Sequence, residues 1–407
     1  MNIFVAILGL ALLILIHEAG HFFTALATGM RPRRFYVGFP PPIVRMKRRG
    51  IEYGIGAIPL GGYVKIPGMH RPAPSDLDAH FGRAMREEPR LVGPVERLKR
   101  TLAAGDLERA AEELPALEER LAGASLSADA QRSADRGLAE LADALSPEAY
   151  WRQRAWKKVL VIFAGPGTNL LFAIALFAIL FMVGNGQATT SVGKVLPGRP
   201  AAAIGLLHGD RILAIDGRPV NKPEDIPERI AGSNGRPVTV LVQRKGSPQP
   251  VRLGPARPQK IDGAYRLGFV LAGRGLGFWA GWWESLKLTG IITRETGKSL
   301  ARIAHGQGRK DVSSPVRIVQ ASSTAAAAGW GEYVLVLGFI SLSLALLNLL
   351  PLLPLDGGHI AFSVIEGIRG RAVGREVYER VSAVGIALVL LLFIVGLSND
   401  VGRLGGG

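Results

Sequence analysis

Residues 3–27 read IFVAILGLALLILIHEAGHFFTALA, and this stretch indicates the architecture of the chain. About 20 predominantly apolar residues are enough for an α-helix to cross the core of a bilayer, so the stretch predicts a membrane-spanning helix. It has no basic segment before it and no small-residue cleavage site after it, so we expect a retained helix and not a cleaved signal peptide. The polar residues His17, Glu18 and His21 therefore lie inside a predicted membrane span.

These polar residues form the pattern His-Glu-Ala-Gly-His. Two His at i and i+4 lie on the same face of a helix, where neutral imidazoles can share one Zn²⁺. Glu18, between them, can then take a proton from a water molecule at the metal. Ionisable groups at membrane depth cost insertion free energy. That cost favours a functional role over the alternative of two core histidines and a Glu that reaches toward the membrane surface.

The composition indicates a membrane protein that carries water-soluble parts. Of the 407 residues, 48% are hydrophobic, and 49 Lys and Arg against 33 Asp and Glu give a formal net charge of +16. Many basic residues flank apolar segments, where orientation in the membrane explains them, and there is no nucleic-acid-binding motif, so we expect no nucleic-acid partner. The chain has no Cys, which excludes thiol catalysis, thiolate metal ligands and disulfides.

Four apolar segments are long enough to span a bilayer. They cover residues 3–27, 159–183, 333–350 and 381–397. Basic residues cluster in the loop after the first segment, before the second segment, and between the third and fourth segments. The positive-inside rule makes this side cytoplasmic, which leaves the region between the second and third helices outside.

Three regions between the spans differ in their sequence pattern. Residues 34–69 alternate short β-prone runs with Gly and Pro, which is typical of β-hairpins. Residues 76–147 are rich in Ala, Leu, Glu and Arg at helical spacing and predict a helical hairpin with a solvated, mixed-charge surface. Residues 191–271 predict a small α/β domain. Its Gly-Asp-Arg-Ile and Ile-Asp-Gly runs within 209–217 resemble the signature of PDZ domains, which take an extended peptide at a sheet edge; a structural spacer is the alternative.

The predicted fold class is a multi-pass α-helical membrane protein of four transmembrane helices, with an inserted α/β PDZ-like domain and a cytoplasmic β-hairpin region. A Trp-rich amphipathic helix over 278–299 is expected at the outer membrane interface. The predicted boundaries are transmembrane helix 1 in 1–30, the β-hairpin region in 31–75, a charged helical insert in 76–150, transmembrane helix 2 in 151–187, the PDZ-like domain in 188–272, the interfacial helix and linker in 273–330, transmembrane helix 3 in 331–366, and a loop with transmembrane helix 4 in 367–407.

A third metal ligand is expected at the end of the third apolar segment. A zinc site that keeps one position open needs three protein ligands, and the other His residues, His359 aside, lie in soluble regions. The segment ends in Asn348-Leu-Leu-Pro-Leu-Leu-Pro-Leu-Asp356-Gly-Gly, whose two prolines break a helix and whose Asp lies at the depth predicted for His17. The residues thus predict a centre of His17, His21 and Asp356, with a turn-forming Asp-Gly as the alternative for Asp356.

Four motifs in this order resemble those of the site-2 protease family of intramembrane zinc metalloproteases. The motifs are His17 to His21, Pro59 to Lys65, Ala164 to Asn169, and Asn348 to Gly358. The resemblance covers nearly the whole chain except 76–147. The chain is most similar to the bacterial PDZ-containing branch that acts in sigma-factor and envelope-stress signalling, which implies a bacterial inner-membrane protein with its active site toward the cytoplasm.

The resemblance also implies roles for individual residues. The implied Zn²⁺ ligands and base are His17, His21, Asp356 and Glu18. The residues implied to handle substrate or the transition state are Asn169 and Asn348. The residues of a hairpin strand implied to pair with substrate are Gly61, Gly62, Tyr63 and Val64. His359 is a candidate partner of a ligand or a structural residue.

The expected partners are the lipid bilayer, a single-pass membrane protein substrate such as an anti-sigma factor, and a peptide or substrate ectodomain at the PDZ-like domain. Two alternatives come from other classes of protein. An intramembrane metal transporter is disfavoured because no inverted repeat is readable, and a catalytically inactive PDZ adaptor because the metal-site residues are intact. Two features depart from the family: the insert is larger and more charged than the usual linker, and one PDZ-like domain is readable where some relatives have two.

Overall fold

The computed structural model describes residues 2–185, 187–261, 263–305, 315–371, 373 and 375–404. The chain divides into two compact units. One consists of Met1–Phe172 with Gly297–Gly407, and the other of Ala173–Thr296. All the residues predicted to form the metal site lie in the first unit.

Among the described residues, four helices are long and apolar enough to cross a membrane. They are α1 (Asn2–Ala27), α6 (Ala155–Leu180), α11 (Trp330–Asn348) and α13 (Arg375–Leu404). Many of their apolar side chains are exposed, as for Phe4 at 70% and Val384 at 71%. Exposed apolar side chains are compatible with the hydrocarbon core of a membrane. The backbone is compatible with it too, because a helix satisfies its own N–H and C=O groups.

The region after α1 folds as two long strands, β1 (Arg34–Arg48) and β2 (Ile51–Lys65), joined at Arg49 and Gly50. The register is irregular, because the start of β1 pairs with β2 twice. Phe35 is paired with Tyr53 on one side and with Val64 on the other. Residues 62–65 therefore form an outer strand that is covered by β1 on one edge only.

The insert is a compact group of four helices, so the prediction of a helical hairpin was wrong. The helices are α2 (Pro74–Glu87), α3 (Val92–Ala104), α4 (Leu107–Ala122) and α5 (Ala128–Leu145). Helical spacing alone did not reveal the breaks. Gly105, at a φ of 78°, ends α3, and the side chains of Asp106 and Ser127 cap the next two helices. The helices bury a core of their own that includes Leu77, Phe81 and Leu98.

The second unit contains the β-rich region between α6 and the next long helix. Its elements are β3 (Gln187–Val195), α7 (Pro200–Ala203), β4 (Arg211–Ile215), β5 (Arg218–Pro219), α8 (Asp225–Gly232), β6 (Val238–Gln243), β7 (Val251–Ala256), β8 (Gln259–Ile261), β9 (Ala264–Arg266) and β10 (Phe269–Arg274). The main sheet has the order β10-β3-β4-β6-β7, with β5 on β4, while β8 and β9 pair separately. Two strands occupy residues 264–274, because β9 ends at Arg266 and β10 begins at Phe269.

The Asp of the Gly-Asp-Arg-Ile run has a structural role in this sheet. The Asp210 carboxylate accepts hydrogen bonds from the Arg244 guanidinium at 2.8 Å and from the Leu207 N–H at 2.9 Å. Burial raises the pKa of Asp210, but these donors outweigh that effect and leave the pKa below its usual value. The ionised carboxylate thus ties the turn before β4 to the end of β6.

The remaining helices differ from the sequence prediction in number and length. α9 (Phe278–Ala304) extends beyond the predicted amphipathic segment, and α10 (Pro315–Ala328) was not predicted. The region 331–366, whose two prolines are predicted to break a helix, contains two helices, because α11 ends at Asn348 and α12 (Asp356–Arg369) begins eight residues later. The intervening Pro351 and Pro354 lack the N–H that would continue a helix.

Candidate metal centre

The two histidines of α1 place their outer ring nitrogens side by side. The Nε2 atoms of His17 and His21 are 3.2 Å apart, and both residues are 8% exposed. The Nδ1–H of His21 donates to the Val161 carbonyl of α6 at 2.9 Å, which leaves the Nε2 of His21 with its lone pair free. Two unprotonated nitrogens in this position repel one another unless a cation lies between them.

Asp356 adds a carboxylate to this pair from the first turn of α12. Its Oδ2 is 3.1 Å from His17 Nε2 and 3.5 Å from His21 Nε2. The oxygen is buried, and among the described residues it has no hydrogen-bond donor. A tetrahedral ion with ligand bonds of about 2.0–2.1 Å holds its ligands about 3.3 Å apart, so the three atoms are spaced as Zn²⁺ requires.

Helix α6 leaves room beside these atoms at Gly165. A Cβ there would collide with His21 Nε2 and would lie 2.9 Å from His17 Nε2. Gly20 of α1 approaches the same part of α6, since a Cβ on it would collide with the Ala164 carbonyl. Small residues thus let the two helices pack closely while keeping a cradle open at the ligand atoms.

Asn169 lies behind His17, in contact with the ring nitrogen that faces away from Asp356. The side chain of Asn169 is fully buried, and its Nδ2 is 3.2 Å from His17 Nδ1. Its Oδ1 has no partner among the described residues. Turning the amide by 180° gives the Nδ1–H of His17 an acceptor and satisfies that oxygen as well. The hydroxyl of Ser341 on α11 donates to the Asn169 carbonyl at 2.8 Å and holds this part of α6.

A cavity of about 800 Å³ opens in front of the ligand atoms. Glu18, Gly61 and the outer-strand residues 62–65 line it together with Asn348 and His359. The strand approaches Glu18 so closely that a Cβ on Gly62 would lie 2.8 Å from the Glu18 Cγ. The outer strand therefore passes directly over the carboxylate that follows the first histidine.

The backbone of this strand presents alternate groups to the cavity. The Lys65 carbonyl accepts from the Arg33 N–H at 2.7 Å, which turns the backbone groups of Lys65 toward β1. Because successive residues of a strand point their backbone groups to opposite edges, Val64 directs its N–H to the uncovered edge, where it interacts with Glu18.

The structure thus gathers most of the predicted site residues around one cavity. Asn169 is the exception, because it is buried behind a histidine and does not line the cavity. Sequence reasoning did not single out Gly165 or Ser341. Gly165 lies within the quoted motif Ala164 to Asn169, whereas nothing in the local sequence distinguishes Ser341 from other helix residues.

The helices and the cluster of His and Asp ligands are those expected of a membrane-embedded metalloenzyme. A family model described as Peptidase family M50 matches residues 5–392. The chain therefore belongs to peptidase family M50, the family of the site-2 proteases, and it is a zinc metalloprotease that is integral to the membrane.

Several bacterial relatives match along almost their entire length. A protein of Agrobacterium fabrum named "Putative zinc metalloprotease Atu1380" is 29% identical over 98% of this chain and 95% of its own. "Putative zinc metalloprotease LL2128" of Lactococcus lactis is 28% identical over 98% of this chain and 97% of its own. "Probable protease eep" of Enterococcus faecalis is 27% identical over 98% of both chains.

Proposed function

We propose that this zinc metalloprotease cleaves peptide bonds within the transmembrane segments of membrane-anchored proteins. The position of the ligand atoms along α1 carries the proposal. At 1.5 Å per residue, His17 lies about 21 Å from Ile3, and His21 lies about 9 Å before Ala27. A centre at this depth is reached by the membrane-embedded part of a substrate, and this favours bonds inside the bilayer as the sites of cleavage.

The residues that would hold the zinc ion are His17, His21 and Asp356. Their spacing, the unpartnered Asp356 oxygen and the cradle at Gly165 all fit the ion. When bound, zinc supplies Lewis-acid polarisation of the scissile carbonyl and lowers the pKa of water. Three protein ligands leave a fourth position open, as catalytic zinc sites require.

Glu18 is the base in this mechanism. Its carboxylate takes a proton from the attacking water as the new C–O bond forms, and it gives that proton to the amide nitrogen as the C–N bond breaks. Asn348 lies at the end of α11 beside the same cavity, where its amide can donate to the oxyanion of the tetrahedral intermediate. The Asn169 geometry favours orientation of His17 over contact with substrate.

The outer strand would hold the substrate in an extended form. A helix uses its own amides in i to i−4 hydrogen bonds, so it must unwind before a peptide bond can react. Pairing with the uncovered edge at Gly62 and Val64 would satisfy the unwound backbone away from bulk water. This pairing would also carry the scissile bond past Glu18.

The proposed membrane orientation and partners rest on the distribution of basic residues and on the β-rich unit. Basic loops assign the metal-centre end of α1 to the cytoplasmic side of a bacterial inner membrane, and the PDZ-like domain to the outside. There the domain would bind a peptide or the substrate's ectodomain. The substrates would be single-pass signalling proteins, such as anti-sigma factors, that are cut in regulated intramembrane proteolysis.

The test is proteolysis by the purified full-length protein reconstituted in lipid vesicles with a single-pass model substrate. The product's new terminus, read by mass spectrometry, must lie within the transmembrane segment. Glu18→Gln should retain zinc and lose at least about 100-fold in cleavage rate, because only the base is removed. Cleavage confined to residues outside the segment, or near-normal cleavage by zinc-loaded Glu18→Gln, would contradict the proposal. Metal transport without proteolysis would favour the transporter alternative.

A further inference from the structure

The helical insert forms part of the wall of the active-site cavity. The cavity that contains Glu18 and the ligand atoms continues to α2 and α5, where Asp76, His80, Glu140 and Leu141 line it. The insert is therefore more than a linker between the β-hairpin and α6. Any peptide that leaves the centre through this side of the cavity passes along the insert.

Ion pairs around the buried Asp143 fasten the insert to the outer strand. Asp143 of α5 is 8% exposed and accepts from Arg33 Nε at 2.7 Å, and its other oxygen is 3.4 Å from the Nζ of Lys65. Lys65 is the last residue of the strand that passes over Glu18. The position of α5 and the position of the outer strand are thereby linked.

Backbone hydrogen bonds reinforce this attachment just after α5. The Tyr150 N–H donates to the Pro67 carbonyl at 2.9 Å, and the Trp151 N–H donates to the Gly68 carbonyl at 3.0 Å. The Trp151 indole N–H donates to the Ala144 carbonyl at 2.8 Å. Because the end of α5 and the residues just after it are bonded to the β-hairpin region, the lining face of α5 has a defined place beside the cavity.

We propose that the insert is a substrate-binding wall. It contacts the stretch of extended substrate that lies beyond the scissile bond on the side away from the bilayer core. This inference rests on the proposed function, because it assumes a substrate that enters from the membrane and pairs with the outer strand. It adds a binding surface on α2 and α5, residues 74–87 and 128–145, which are outside the motifs that resemble the family.

The chemistry of this wall suits a polar peptide segment. α2 approaches α5 closely, since a Cβ on Gly137 would collide with the His80 side chain. His80 Nε2 and Glu140 Oε2 are 3.2 Å apart at the cavity surface, so imidazole and carboxylate groups face the passing chain. Residues 74–150 hold 16 Asp and Glu against 10 Lys and Arg, a net charge of −6 in a chain of +16. That sign is favourable for the Lys and Arg that flank membrane segments on the cytoplasmic side.

Disulfide cross-linking tests the proposal directly, because the chain has no Cys of its own. Single-cysteine variants are made in the Glu18→Gln full-length protein, which should hold substrate uncut. Glu140→Cys places a thiol on the proposed wall, and Glu118→Cys places one on an exposed face of α4 as the matched control. Tyr63→Cys marks the outer strand. Each is mixed with a single-pass substrate that carries one Cys, scanned along its transmembrane and flanking residues.

We expect Glu140→Cys to cross-link to substrate positions on the far side of the scissile bond, with a yield at least about tenfold above Glu118→Cys, since bound substrate raises the local thiol concentration. Tyr63→Cys should cross-link closer to the scissile bond. Cross-links from Tyr63→Cys without any from Glu140→Cys would overturn the wall and leave the proposed function standing. Absence of both, in protein that retains zinc, would refute strand pairing and the wall together.

Discussion

At the scale of residues, the metal centre depends on what holds the second nitrogen of each imidazole. His21 is fixed by a backbone carbonyl, and His17 lies against the Asn169 amide. A hydrogen bond at Nδ1 determines which ring nitrogen keeps its lone pair, so these contacts prepare both Nε2 atoms for a cation. The Asp356 carboxylate completes the set from a sequence position more than 330 residues away.

Asp356→Asn should release zinc, because a neutral amide is a poorer ligand than a carboxylate. We expect zinc retention during dialysis against a chelator to fall by about tenfold or more, and proteolysis to fall with it. The measurement is metal content per protein alongside cleavage of the model substrate. Asp135→Asn, at an exposed position of α5, is the matched control and should behave as wild type. Normal zinc content and turnover in Asp356→Asn would exclude this residue from the centre.

Asn169→Leu should weaken zinc binding, although residue 169 is not one of the proposed ligands. Removal of the hydrogen bond to His17 is expected to raise the zinc dissociation constant about 10–100-fold, measured by competition with a fluorescent chelator. Asn169→Asp keeps an acceptor for the Nδ1–H of His17 and should bind zinc much more tightly than the Leu variant. Ser341→Ala controls for packing in this region. Equal losses in all three variants would indicate packing and not orientation of the ring.

At the scale of elements, two features shape the candidate metal centre. They are the outer strand of β2 and the break between α11 and α12. Pro351 and Pro354 follow the end of α11 and allow α12 to begin at the proposed metal ligand Asp356. The outer strand keeps one edge uncovered beside Glu18. Exposed strand edges are templates for pairing, so an uncovered edge next to the proposed base Glu18 supports a role in binding extended substrate.

Val64→Pro should impair cleavage while leaving zinc in place. The substitution removes the N–H that points to the uncovered edge beside Glu18, so its contact with Glu18 and its pairing with substrate are both lost while β1 still covers the other edge. A loss of about 1–3 kcal/mol of binding, or roughly 5–150-fold in kcat/KM, is expected for an unmade hydrogen bond. Ile43→Pro, at an exposed position of β1, is the matched control. Unchanged cleavage by folded, zinc-loaded Val64→Pro would contradict pairing with substrate and would indicate that the strand only covers the site.

At the scale of the whole molecule, the metal centre and the β-rich domain belong to different compact units. β3 and β10 enter and leave that domain side by side, with Ala188 paired to Gly273. The chain can therefore be closed by a short turn when Ser191–Leu271 is removed. This arrangement allows the chemistry and the proposed recognition domain to be separated experimentally.

Deletion of Ser191–Leu271 should change which substrates are cut without abolishing proteolysis. The predicted result is zinc content near wild type, with relative cleavage rates of substrates that differ only in their ectodomains shifted by about tenfold, the range of a modest peptide interaction. The measurement is competition between two such substrates in one vesicle preparation. The full-length protein with the same turn inserted after Gly246, in the loop between β6 and β7, is the control. A folded, zinc-loaded deletion protein that cuts no substrate would contradict a purely selective role.

Much of this molecule was readable from local sequence. Apolar runs predicted the membrane helices, and spacing at i and i+4 placed His17 and His21 on one helical face. The Gly and Pro pattern predicted strands after α1. The count of helices in the insert was wrong, because helical periodicity continues across short capped breaks such as Gly105 and Ser127.

Only the tertiary structure decided the contacts made across long separations in sequence. Sequence by itself determined the residue types at the centre and their common depth, since hydropathy and helical period are local properties. Packing of α6 on α1 decided that the Asn169 side chain contacts His17 Nδ1 and that Gly165 leaves room beside the Nε2 atoms of the two histidines. Packing of α5 on the outer strand placed the insert beside the cavity. Such contacts depend on how whole surfaces fit together, and no periodicity along the chain encodes which distant surface will be the partner.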